Sequence, residues 1–148
     1  MAGTGAGGFV KLIIHIPCFN EAGTLPQTLA DLPRHVDGFD AVEWLVTDDG
    51  STDGTSDVAR AHGVDHVVRL STNRGLANAF MTGLIAALER GADVIVNTDA
   101  DNQYDASCIP DLVVPVLEGR ADIAVGARPI IAVGARPIIE TADFPWLK

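Results

Sequence analysis

The residue types that could do chemistry gather first in VIVNTDADNQYD, Val94 to Asp105, where an apolar run ends in Asp99 and Asp101, with Gln103 and Asp105 close behind. Carboxylates crowded together raise one another's pKa, so a strand end that collects them calls for a cation or a strong set of donors. Asp99 and Asp101, with the small Ala100 between them, can hold a hard cation such as Mg2+ or Mn2+ and leave positions open for diphosphate oxygens. Gln103 can add a neutral oxygen ligand. The bland alternative is a solvated acidic turn, since Asp is a common loop residue.

A second cluster is DDGSTDGT, Asp48 to Thr55. Asp, Gly, Ser and Thr make Asx-turns and helix caps whatever the function. Two adjacent acids exceed what a turn needs, and a carboxylate can accept a hydrogen bond from a base N–H or a ribose hydroxyl. An EF-hand built on Asp49, Ser51, Asp53 and Gly54 would need an acid where Arg60 stands, so that reading fails. A phosphatase of the haloacid dehalogenase type also carries D-x-D after a strand. Here Asn102 and Gln103 follow where that type has Thr or Val, and the motif is not on the first strand. His62 and His66 are four apart, but Gly63 breaks the helix that would align them as ligands. His15 and His35 have no partners in sequence. Arg74, Arg128 and Arg136 are the few cations near these loops, and one guanidinium fork would suit a diphosphate.

Apolar runs alternate with helix-period segments. Strands are expected at Phe9 to Pro17, Val42 to Asp48, His66 to Leu70 and Asp93 to Thr98, with a fifth starting near Asp122. Helices are expected from about Thr24 to Leu32, from Thr55 as N-cap to a stop at Gly63, and from about Ser107 to Glu118 with a kink at Pro115. Another follows Gly75, with an apolar stripe of Leu76, Phe80, Leu84, Ala87 and Leu88. Strands joined by helical crossovers form a mostly parallel sheet with helices on both faces, a Rossmann-like α/β fold. Ligands of such sheets bind outside the carboxyl ends of the strands. That rule places Pro17 to Glu21, Asp48 to Thr55, Asn73 to Gly75 and Asp99 to Gln103 on one edge. IAVGARPI at 123–130 is repeated without change at 131–138, most naturally as a hairpin or an extruded loop.

The 148 residues suit one domain, with residues 1–8 a flexible Gly-rich terminus and 9–148 the folded unit. A formal charge of −10 opposes contact with bare phosphate backbones and disfavours nucleic-acid binding. A phosphorylated ligand would need a metal bridge. No apolar run approaches the ~20 residues of a membrane-spanning helix, and the glycines at 3, 5 and 8 precede the first strand, where no dinucleotide fingerprint lies. Cys18 and Cys108 match no metal or redox spacing, which fits thiols in a reducing cytoplasm.

IPCFNEAGTL, LVTDDGSTDGT, NRGLANAFMTGL and NTDADNQYD occur in that order, each after its strand. Together they resemble the family 2 glycosyltransferases of GT-A fold, in particular the polyprenyl-phosphate sugar transferases similar to dolichol-phosphate mannose synthase. The likeness spans about Val10 to Arg128. It implies an inverting transferase with a UDP- or GDP-sugar donor and an acceptor such as a lipid phosphate, working in the cytoplasm or at the inner face of the membrane. Pro17, Asn20 and Glu21 would contact the nucleoside, and Asp48 or Asp49 the base, with Ser51, Asn73, Gly75 and Ala100 around the donor. Asp99 and Asp101, with Gln103, would hold Mg2+ or Mn2+ on the diphosphate. Arg128, in the G-x-R of Gly126 to Arg128, would approach the phosphates, although spacing from downstream favours Arg136. Family members continue past the equivalent of Lys148 into an acceptor half that carries the base, so no residue here takes that role. A non-catalytic nucleotide-sugar-binding module is the second reading, and a phosphatase the third.

Overall fold

The computed structural model describes residues 8–126 and 131–134. The Gly-rich start before residue 8, Arg128 and Arg136 lie outside them. The central strand β1, Lys11–Cys18, reads KLIIHIPC with almost no polar break because it is flanked on both sides, by β2 (Ala41–Asp48) and β4 (Val94–Asn97). A strand paired on both edges and covered on both faces has no solvent side to alternate towards. β3, His66–Arg69, adds outside β2, and these four strands are parallel. Two short strands, β5 (Ile123–Val125) and β6 (Ile131–Gly134), complete the order β3-β2-β1-β4-β6-β5. β6 is antiparallel to both β4 and β5, so the two copies of the duplicated IAV form a hairpin, with Ile123 opposite Val133 and Val125 opposite Ile131.

Helices α1 (Leu25–Asp31), α2 (Thr55–Ala61) and α4 (Ile109–Leu117) pack on one face of the sheet, α3 (Leu76–Glu89) on the other. The first face is the larger core, where Leu12, Ile14 and Ile16 of β1 meet Leu25, Leu29, Ala59, Ile109 and Val113. Ile13, Leu45 and Ile95 meet Ala86 and Ala87 on the second. Pro110 sits in the first turn of α4 and Pro115 lies inside it.

Two local expectations are corrected. Thr55 is the first helical residue of α2, and Gly54, at φ 85°, takes the N-cap position. The Thr55 hydroxyl is engaged elsewhere: it donates to Asp53 Oδ1 and accepts the Glu21 amide at 3.0 Å. On α3 the buried face is Ala79, Gly83, Ala86 and Ala87, while Leu76 and Leu88 are 69% and 50% exposed. The reason lies beneath the helix. His15 of β1 is fully buried, and a Cβ on Gly83 would stand 1.9 Å from its Nε2, so the helix rests on the sheet through its small residues.

Candidate functional site

Because β1 to β4 are parallel, the loops that follow them open on one edge of the sheet. The first, after β1, turns at Asn20, whose φ of 51° is a left-handed conformation that Asn tolerates better than most residues. Asn20 is spent on the neighbouring loop: its amide donates to Ser51 Oγ at 2.8 Å and its Oδ1 accepts the Thr52 amide at 2.9 Å. The second loop is anchored by Asp48, which is wholly buried. It accepts from the Ser51 amide at 2.8 Å, from the Ser56 hydroxyl, and from Arg69 at 3.0 Å. Burial works to raise the Asp48 pKa, but the Ser51 and Ser56 hydrogen bonds and the Arg69 charge outweigh it and hold the group below its ordinary value.

Asp49 turns the other way. Its two oxygens accept the amides of Arg74 and Gly75 at 2.7 and 2.9 Å, which pins the loop before α3 against the second loop. The close approach needs Gly50: at φ 75°, a Cβ there would lie 2.6 Å from the Thr72 carbonyl carbon. The fourth loop carries Asp99 and Asp101, with the Gln103 amide 3.2 Å from Asp101 Oδ1.

These loops enclose a cleft of about 340 Å3. Pro17, Glu21, Asp49, Asn73, Gly75, Asp99, Ala100 and Asp101 line it, eight of the residues singled out in the sequence. Asn20, Asp48, Ser51 and Gln103 do not; the first three tie loops together behind the wall. Of the pair Asp48 and Asp49, Asp49 is the one on the cleft. Four further lining residues carried no chemical signal in the sequence: Cys18, Phe19, Leu76 and Ala79. Phe19 and Leu76 were legible only as apolar residues beside a motif, yet both leave much of their surface open at this mouth.

Four carboxylates on one cleft set its electrostatics. Burial raises the pKa of Asp99, Asp101 adds to the rise, and the Tyr104 hydroxyl opposes it. Tyr104, unremarked in the sequence, is raised in turn by burial and by Asp99. Burial, with Glu21, Asp48, Asp53 and Asp99 adding to it, pushes the Cys18 thiol far above its ordinary value, which makes it a poor nucleophile. Among the described residues no group of three or more His, Cys, Asp or Glu side chains could enclose a metal. A cation held at Asp99 and Asp101 would take one or two protein carboxylates and fill its other positions with phosphate oxygens and water, as Mg2+ and Mn2+ do. A positive charge there would offset the burial that chiefly raises Asp99, and the smaller push from Asp101. Among the described residues no helix is long and apolar enough to cross a membrane.

The model of the family described as Glycosyl transferase family 2 matches residues 13–144. The undecaprenyl-phosphate mannosyltransferase of Micrococcus luteus is 37% identical, over 80% of this chain and 49% of its own. The polyprenol monophosphomannose synthase of Mycolicibacterium smegmatis is 32% identical, over 80% of this chain and 45% of its own. The chain thus spans about half the length of the curated relatives it matches. Among solved structures, glucosyl-3-phosphoglycerate synthase from Mycobacterium tuberculosis, in complex with Mn2+, UDP-glucose and phosphoglyceric acid, superposes with a TM-score of 0.69 at 22% identity, covering 85% of this chain and 57% of that one. The shared architecture is the GT-A fold.

Proposed function

Since the chain belongs to glycosyl transferase family 2, we propose that it forms the donor-binding part of a metal-dependent transferase that moves a sugar from a nucleoside diphosphate to a lipid phosphate. The observation that carries the reading is the convergence of four strand-end loops on one cleft lined by Glu21, Asp49, Asp99 and Asp101. Residues 9–148 act as one nucleotide-sugar-binding domain. The lipid acceptor is supported by the names of the two bacterial relatives, and the metal by the donor set at Asp99 and Asp101 and by the Mn2+ complex of the structural neighbour. An aqueous donor and a lipid acceptor support a reading in which the chain works in the cytoplasm, associated with the inner face of the membrane.

In this reading Pro17 and Glu21 flank the nucleoside, and Asp49 accepts a hydrogen bond from the base or ribose while its own backbone partners hold it still. Asn20, Asp48 and Ser51 act behind them by fixing the loops. Asn73, Gly75 and Ala100 border the donor. Asp99 and Asp101 would hold the cation, with Gln103 within the same turn, and the arginine of the G-x-R motif, Arg128 or its duplicate Arg136, would supply a positive charge to the phosphates. The cation, when bound, neutralises the charge that develops on the departing nucleoside diphosphate. In a direct displacement an acceptor phosphate oxygen would bond to the anomeric carbon as the bond from that carbon to the nucleoside diphosphate breaks, which inverts the centre.

A thermal-shift screen of UDP- and GDP-sugars with Mn2+ tests the donor. One nucleotide class should raise the melting temperature by about 5–10 °C at a ligand concentration about a hundredfold above Kd. The rise should vanish with a chelator and in Asp99→Asn. No shift with any donor, or one that survives chelation, would contradict the reading.

A further inference from the structure

The D-x-D turn leaves the sheet beside its central strand, and its backbone needs partners once the ladder ends. The Thr98 amide still finds one, the His15 carbonyl at 3.0 Å. Ala100, the residue between the two acids, is buried, and its carbonyl accepts the Thr28 hydroxyl at 2.9 Å across 72 positions of sequence. Thr28 is itself buried on α1. A helical Thr commonly donates back to the carbonyl one turn earlier, and the Thr24 carbonyl is within reach at 3.4 Å. The hydroxyl has one proton to give, and the shorter contact is the one to Ala100.

The geometry matters because the Ala100 carbonyl belongs to the peptide plane that joins Ala100 to Asp101. Fixing that plane fixes the turn from which both carboxylates project. The helix that does so is firmly seated, with Leu25 and Leu29 in the main core. Its leading turn is also tied to the nucleoside side of the cleft, since the Thr24 and Leu25 amides both donate to the Glu21 carbonyl. One short helix therefore carries the Glu21 loop at one end and grips the D-x-D turn in its middle.

We propose that Thr28 is a positioning residue for the metal: its hydroxyl holds the Ala100 carbonyl so that Asp99 and Asp101 face the cleft together. This rests on the reading of those two acids as the metal holders. Valine in place of Thr28 keeps the shape and removes the donor, leaving a buried carbonyl to seek another partner by rotating the turn.

The test is Mn2+ binding followed by electron paramagnetic resonance, with UDP and GDP in separate arms, on the wild-type chain, Thr28→Val and Thr28→Ser. Thr28→Val should weaken Mn2+ about tenfold, and Thr28→Ser, which keeps the hydroxyl, should stay within about twofold of wild type. Hydrogen exchange at the Thr24 and Leu25 amides, which donate to the Glu21 carbonyl at the start of α1, should be the same in all three. Mn2+ affinity unchanged in Thr28→Val, or a loss of Mn2+ accompanied by faster exchange at the Thr24 and Leu25 amides, would overturn the proposal, because the latter is what general loosening of α1 would do. If Thr28→Val does not fold, Thr28→Ala against Thr28→Ser carries the same comparison. A wild-type chain that binds Mn2+ with neither diphosphate would overturn the metal reading and this proposal with it, whereas metal binding that ignores Thr28 would overturn the proposal alone.

Discussion

At the residue scale, Asp48 and Asp49 show how neighbours of one chemistry take opposite parts. Strand alternation sends Thr47 to the α3 face, where its hydroxyl lies 3.0 Å from His15 Nε2, and Asp48 to the other, under Ser56 and Arg69. Asp49 then starts the loop and reaches the cleft. Asp48→Asn should therefore cost about 2 kcal/mol in chemical denaturation, because Ser51 and Ser56 stay buried with a poorer acceptor. The alternation was available in the sequence; what was not is that Arg69, from a different strand, completes the anchor. His15 was less legible still, a lone histidine in an apolar run. Among the described residues, its Nδ1 and Asn97 Oδ1 are the buried side-chain atoms without a hydrogen-bond partner, on residues paired across β1 and β4. Burial lowers its pKa to about 4, with the Asn97 side chain working the other way. The folded chain thus keeps His15 neutral where the unfolded chain, with an ordinary value near 6.5, takes up a proton. The unfolded state binds more protons across this window, so this term of stability rises with pH between 4 and 6.5. It is fully present above 6.5, is lost as pH falls towards 4, and amounts to about 3 kcal/mol. Nitrogen-15 NMR at pH 5.5 should show a neutral ring, and titration near 6.5 would contradict this.

At the element scale, the strands and helices followed from periodicity because each apolar run is bounded by turn residues and the parallel order leaves few ways to connect them. The facing of α3 did not. Its leucines at i and i+4 formed the more conspicuous stripe, but the sheet beneath presents an imidazole that admits only small residues. Gly83→Ala should accordingly cost about 2–3 kcal/mol, since the His15 ring is held by Thr47 and has no free space to enter. Ile85→Lys, on the outward side of the same helix, should change stability by no more than about 0.5 kcal/mol. A pair of melting curves checks both. The start of α2 shifted by one position for a related reason: the Thr55 hydroxyl that would cap the helix is used to hold the Glu21 loop.

At the scale of the whole molecule, four parallel strands deliver four loops to one edge, and this much of the site was legible because D-x-D, D-D-G-S and N-E all follow apolar runs. Depth was not legible: no single-chain pattern says that Asn20, Asp48 and Ser51 stand behind the wall while Phe19 and Leu76 form part of it. The net charge of −10 and a cleft with four carboxylates mean that a bare diphosphate is repelled at long range and at contact alike. The central claim is that a divalent cation on Asp99 and Asp101 reverses that repulsion. Calorimetric titration of UDP and of GDP, each with and without Mn2+, into the wild-type chain and Asp101→Ala tests it most directly. One of the two nucleotides should bind with Mn2+ and not without it, and at least about tenfold more weakly in Asp101→Ala, a loss of about 1.4 kcal/mol or more. Binding that is equally strong without metal, or unchanged in the variant, would contradict the claim.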